Sequence, residues 1–183
     1  MLNKKYIPIV AAALLIGLLA LPKIARADDT HLTPNQLERV RAVCSSSEAS
    51  LNQLHTNDAL LRVNLGQNYE SIGTRLIKRF NSRVSYNNLN NSLLVATTNE
   101  YDKSLNAFRN TYSIYESSLS SLISLNCDEN PAEFYNLLEE TRTKRENVRA
   151  SVTNVNAQLE NYAKEVENFE TNYRSVAGQS ENK

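Results

Sequence analysis

Tryptophan is absent from this chain, histidine and cysteine occur twice each, and methionine and glycine are scarce. These shortages remove several chemistries at once. The two histidines, His31 and His55, have no second ligand at metal-binding spacing, and neither is placed to act as the base for a serine nucleophile. The two cysteines, Cys44 and Cys127, form no Cys-x-x-Cys or haem-attachment pattern, and there is no glycine-rich phosphate loop. No catalytic residue, metal site or cofactor is expected, and the chain reads as a non-enzyme.

Long hydrophobic runs are equally scarce. The only one is Ile7 to Leu21, 15 residues interrupted by Pro8 and Gly17. A spanning helix needs roughly 20. With Lys4 and Lys5 ahead of it and Ala25-Arg26-Ala27 behind, the run reads as a signal peptide over 1–27, cleaved near Ala27, rather than an anchor. Nothing later is apolar enough to span, so no transmembrane segment is expected in the mature chain.

Cleavage would leave 156 of the 183 residues, enough for one domain (28–177) with its own core. It removes Lys4, Lys5, Lys23 and Arg26 but no acid, leaving sixteen cations against twenty acids, a net charge of −4. A mildly acidic surface gives no reason to expect nucleic acid as a partner. Export also decides how the cysteines read, because an even pair in an oxidising compartment points to a disulfide.

Three amphipathic helices follow from the periodicity. Thr33-Pro34 opens the first, with threonine suited to a cap and proline to the first helical position. Seam positions then alternate at three and four residues from Leu37 to Leu65, Ser47 and Asp58 being its polar members. The phase slips there and resumes as Tyr69, Ile72, Leu76 and Phe80, a stutter that relaxes supercoiling without ending a helix. His55-Thr56-Asn57-Asp58 is the weakest stretch, either continuous helix or a short break.

The second helix carries Leu89 and Leu93 at its start, then Tyr101, Leu105, Phe108, Tyr112, Tyr115, Leu119 and Leu122. It stops before Pro131, which disfavours a helical residue ahead of it. The third keeps heptad spacing from Phe134 to Val176, with Thr141 and Arg145 its polar interruptions. Such a period predicts a left-handed coiled coil.

The midpoint of the cysteines falls between Ser85 and Tyr86, at the start of Asn87-Asn88-Leu89-Asn90-Asn91. A chain folded back there brings Cys44 level with Cys127. The predicted fold is therefore all-α, an elongated antiparallel three-helix coiled-coil bundle over about 33–84, 90–126 and 131–176, stapled by a Cys44–Cys127 disulfide. Residues 178–183 read as a disordered tail. The competing arrangement pairs the first two helices while the third projects to dimerise, so a homo-oligomer stays open.

Candidate contacts lie at the fold-back. Arg83, Tyr86, Asn87, Asn88, Asn90 and Asn91 form a polar tip, and Tyr86 among asparagines suits a contact residue. Arg75, Lys78, Arg79 and Arg83 form a basic patch, which reads either as a dock for an anionic envelope polymer or as partners for Glu165, Glu167 and Glu170 of the third helix. Arg145 and Thr141 read as register-setting polar residues. Gly66 and Gly73 share a stripe, which calls for close approach of the third helix or a hinge. Asn90-Asn91-Ser92 matches a glycosylation sequon, relevant only in a host that glycosylates.

Cys44, the helix from Tyr101 to Leu125, Cys127 and the run Pro131-Ala132-Glu133-Phe134-Tyr135 together resemble small exported helical proteins of reduced-genome candidate-phyla bacteria. Those pair a signal peptide with two cysteines that bracket a helical hairpin. The resemblance implies an exported location and a stapled shape, and no activity. In length and export signal the chain is also similar to periplasmic holdase chaperones of the Skp type, but those are basic, lack this cysteine pair and build part of their body from strands.

The leading functional expectation is an exported structural or interaction protein, a rigid rod serving as spacer, scaffold or adhesin-like module at the cell envelope. Its partner would be a protein or an envelope polymer. An extracytoplasmic holdase chaperone is the alternative, and a membrane-active helical bundle a third. The holdase needs a cavity or exposed apolar stripe, and the membrane reading needs a long apolar hairpin that the sequence lacks.

Overall fold

The break between the first helices falls at Val43, one residue before the first cysteine. A computed structural model describes residues 32–180. The expected signal peptide, 1–27, lies outside them. The described residues are all-helical, with no strand among them: α1 (Pro34–Ala42), α2 (Cys44–Ser71), a π-helical turn (Ile72–Ile77), α3 (Lys78–Tyr86), α4 (Ser92–Ser124) and α5 (Pro131–Ser180). At Val43 the backbone tightens to an i→i−3 bond, Val43 N–H to Val40 O at 3.2 Å. The bend carries α1 onto α5, and Arg41 Nε donates to Asp128 O at 3.2 Å in the connection just before that helix. Helix continues through His55–Asp58, so the weak stretch in the sequence is not the break.

The stutter has a structural counterpart in the π turn, which fits an extra residue into one turn. It corrects the expected seam. After Tyr69 the buried positions are Gly73, Ile77, Asn81 and Val84, whereas Leu76, expected on the seam, is 64% exposed. Spacings of four in succession are what a widened turn produces, and they carry the seam one residue past its heptad position. At the start of α4 the same kind of shift leaves Leu93 exposed and buries Leu94.

All seven positions expected on the second seam from Tyr101 to Leu122 are buried. In α5 the seam is buried or half-buried from Phe134 to Phe169, while Tyr173 and Val176 are exposed. Helix α5 runs through Gly178 to Ser180, past the end expected at 176 and into the segment expected to be a disordered tail; residues 181–183 lie outside the described ones.

The first arm, α4 and α5 run up, down and up. His55 meets Glu116 at 3.6 Å, and Cys44 is paired with Cys127, Cα to Cα 5.8 Å. Both pairs are symmetric about the Ser85–Tyr86 bond, as the fold-back predicted, and that Cα separation is ordinary for a disulfide.

The packing is unequal. Ser118 meets the Thr141 hydroxyl at 2.8 Å and Thr111 meets Ser151 at 3.0 Å, because small hydroxylated residues let α4 and α5 approach closely. No Cα of α2 comes within 8 Å of one in α5, and long side chains bridge that gap.

Those bridges keep one register. Arg41 to Asp128, Asp58 to Arg145 and Tyr69 to Asn156 are each 87 residues apart. Past the π turn the offset falls to 81 at Tyr162–Asn81. Two hydrophobic clusters line the bundle. One, around Tyr101, Phe108, Val155 and Tyr162, lies toward the tip, and the other, around Tyr115, Leu119, Leu122 and Phe134, lies beside the disulfide.

Candidate functional site

The tip is built by a helix stop written in asparagine. Helix α3 ends in a Schellman pattern: Asn88 N–H bonds Ser85 O at 3.0 Å and Leu89 N–H bonds Val84 O at 3.1 Å. Asn88 occupies the left-handed position that this stop requires, with φ of 56°. It is the type of residue other than glycine that tolerates that region best.

Its neighbours are committed locally as well. Asn87 Nδ2 donates to Arg83 O at 2.8 Å, Asn90 Oδ1 accepts from Ser92 N–H at 3.0 Å, and Asn91 Nδ2 donates to Asn81 O at 3.3 Å. The four asparagines expected as contacts thus shape the turn. Tyr86, 87% exposed, and the exposed Arg83 side chain are left to face outward.

The basic patch is not matched by α5. Lys78 pairs with Asp102 of α4 at 3.2 Å, and Arg109 of α4 with Glu70. Among the described residues no carboxylate lies in ion-pair range of Arg75, Arg79 or Arg83, and none of the cations reaches Glu165 or Glu167. Glu170 is taken by Arg174 one turn along its own helix. The expected pairing of the patch with Glu165, Glu167 and Glu170 is therefore corrected. Helix α4 supplies the acid for Lys78 instead.

Two polar hubs hold the three segments together. Asp58 of α2 accepts two bonds from Arg145 of α5, at 3.0 and 3.1 Å, and a third from the Tyr115 hydroxyl of α4 at 2.7 Å. The carboxylate strengthens the proton affinity of the Arg145 guanidinium, and burial followed by the Asp58 contact raises that of the Tyr115 hydroxyl. Asn81 of α3 donates to Thr98 Oγ1 at 2.8 Å and accepts from Tyr162 of α5 at 2.8 Å. Arg145 and Thr141 were legible as polar breaks in a heptad. Asn81 and Thr98 were not, since Asn81 reads as the entry to the tip and Thr98 as an ordinary helical position.

Gly73 is buried against the ring of Tyr101, whose Cε1 would lie 3.1 Å from an added Cβ. The close approach is by α4, not by the third helix as expected, and Gly66 has open space around it. Among the described residues, Cys44, Glu48 and Cys127 are the one group of acidic, histidine and cysteine side chains near enough to share an ion, and both sulfurs are in the disulfide.

Several clefts open along the bundle, two of them lined mainly by apolar side chains. One, of about 360 Å³, lies between α2 and α5, with Leu61, Phe108 and Val152 as its apolar wall and Arg62 over the Tyr112 ring at 5.1 Å. The second, of about 590 Å³, lies at the tip between the start of α4 and the end of α5.

No protein-family model, curated protein or solved structure matches this chain. Function has to be argued from the geometry. No described helix is long and apolar enough to cross a membrane.

Proposed function

We propose that this chain is a non-enzymatic exported structural or interaction protein, a rigid three-helix coiled-coil rod that acts as a spacer, scaffold or adhesin-like module at the cell envelope. The carrying observation is the 87-residue offset shared from Arg41 to Tyr69 between the first arm and the stretch formed by the α4–α5 connection and α5. A bundle that holds one register over that length, with a disulfide at one end and polar hubs along it, resists bending and sliding. The buried cysteine pair favours an oxidising compartment, and the apolar run at Ile7 to Leu21 favours export to one.

In this reading the tip makes the contact. Tyr86 offers a ring and a hydroxyl on a fixed turn, and Arg83 offers a charge with no ion-pair partner among the described residues. The test is retention on isolated envelope fractions by wild type and by Tyr86→Ala/Arg83→Ala. Loss of retention in the variant is expected, and equal retention removes the tip assignment.

The holdase reading gains one observation, the cleft between α2 and α5 beside Leu60, Leu61 and Val63, which are 62%, 56% and 45% exposed. Suppression of aggregation of a denatured model client would support it, and failure to suppress would remove it.

A further inference from the structure

Seam burial in α5 stops at Phe169, but the apolar pattern does not. Every residue from 171 to 177 is exposed, including Tyr173 at 52% and Val176 at 69%. Across the tip cleft, Leu93 of α4 is 65% exposed, and Phe169 and Leu89 line the cleft as well.

We infer that this end of the molecule is a homodimer interface, in which the last turns of α5 from one copy seat in the tip cleft of a second. The inference deepens the reading of the tip as a contact surface by naming its partner. Three observations favour a second copy over an unrelated protein.

The first is continuity. Tyr173 and Val176 extend the stripe that α5 already uses to pack on α4, so a helix laid against them would prolong an existing interface rather than found a new one. The second is self-complementarity. One patch contains both apolar sides of the cleft, Tyr173 and Val176 of α5 and Leu93 of α4 opposite them. A two-fold contact needs both halves on the same surface.

The third is charge. Arg79 of α3 and Glu165 and Glu167 of α5 sit at the same end, and none has an ion-pair partner among the described residues. Each copy therefore offers unpaired charge of both signs to its mate, and such complementarity sets register and partner choice.

The experiment is light scattering over a wide concentration range on the full chain, expressed with its own N-terminal segment, with the product's terminus mapped by mass spectrometry. A dimer that dissociates on dilution is expected. Tyr173→Glu/Val176→Glu should raise its dissociation constant at least about tenfold, as truncating a buried anchor does. Val43→Glu, exposed at the disulfide end, should leave it unchanged.

Circular dichroism confirms that each variant is folded. If the α5 pair does not fold, Leu93→Glu on the opposite wall of the cleft decides instead. A chain that stays monomeric throughout, or one that binds only another protein, overturns the inference. So does a dimer indifferent to both the α5 and the Leu93 variants, or one lost equally in Val43→Glu. Envelope retention of Tyr86→Ala/Arg83→Ala is scored separately, so the second-copy assignment and the wider tip reading can fail independently.

Discussion

The Tyr162 hydroxyl of α5 donates to Oδ1 of Asn81 in α3 at 2.8 Å, deep between two helices that make no close backbone contact. Asn81 spends its amide protons on Thr98 and on Leu94 O, so one buried side chain ties α3, α4 and α5 together. Among the described residues no buried side-chain nitrogen or oxygen lacks a partner, and the cost of removing one is correspondingly high.

Asn81→Ala should lower stability by about 1–3 kcal/mol, because it removes the bonds to Thr98 and Leu94 O and leaves the buried Tyr162 hydroxyl only the Ile77 carbonyl at 3.4 Å. Urea unfolding of both proteins measures it. Tyr162→Phe, which leaves Asn81 with its Thr98 bond, should cost less.

The two glycines of the first arm should respond in opposite directions. Gly66→Ala fills open space and gains up to about 1 kcal/mol of helix propensity. Gly73→Ala drives a methyl toward Tyr101, a ring that is fully buried and held by its hydroxyl bond to Tyr69 O at 2.6 Å. That ring has little freedom to yield, so thermal melting should show Gly66→Ala above wild type and Gly73→Ala below it.

Alkaline pH should unfold the bundle through its tyrosines. Burial, reinforced by the charge of Asp102, pushes the Tyr101 hydroxyl up to about 12 from its ordinary 10.0, and burial alone does the same at Tyr162. Tyr69, Tyr112 and Tyr115 move in the same direction, chiefly through burial. In the unfolded chain these groups ionise near 10 while the folded protein keeps their protons. Their contribution is therefore complete below pH 10 and is lost as pH rises from 10 through about 12. Melting temperatures across that window should fall, and the fall should be shallower in Tyr101→Phe after allowance for its lost hydrogen bond.

The disulfide should be both stabilising and slow to reduce. Chain-entropy arithmetic for a separation of 83 residues gives roughly 4 kcal/mol, with measured values often lower, so Cys44→Ala/Cys127→Ala should melt about 10 °C earlier. Both sulfurs are buried, and a Glu48 carboxylate oxygen lies 3.7 Å from Cys44 Sγ, where it repels an incoming thiolate. Glu48→Gln should be reduced faster by dithiothreitol under native conditions, as followed by thiol alkylation and mass spectrometry. An unchanged rate would show that burial alone protects the bond.

The sequence by itself determined the helical class, the fold-back at Ser85–Tyr86, the level pairing of Cys44 with Cys127 and the buried stripe of α4. Each is a local or symmetric property: period, turn chemistry and distance along the chain from a common midpoint. Even the phase slip after Leu65 was visible.

What that slip becomes was decided only by tertiary structure. A π turn carries the seam from the Leu76 position to Ile77 and sets Gly73 against the Tyr101 ring, where a side chain would crowd it. The same holds for the break at Val43, the close pairing of α4 with α5 through serine and threonine, and the buried post of Asn81. Periodicity records which face of a helix is apolar, not how near the neighbour comes, and that separation decides whether a glycine, a serine or an asparagine belongs in the seam.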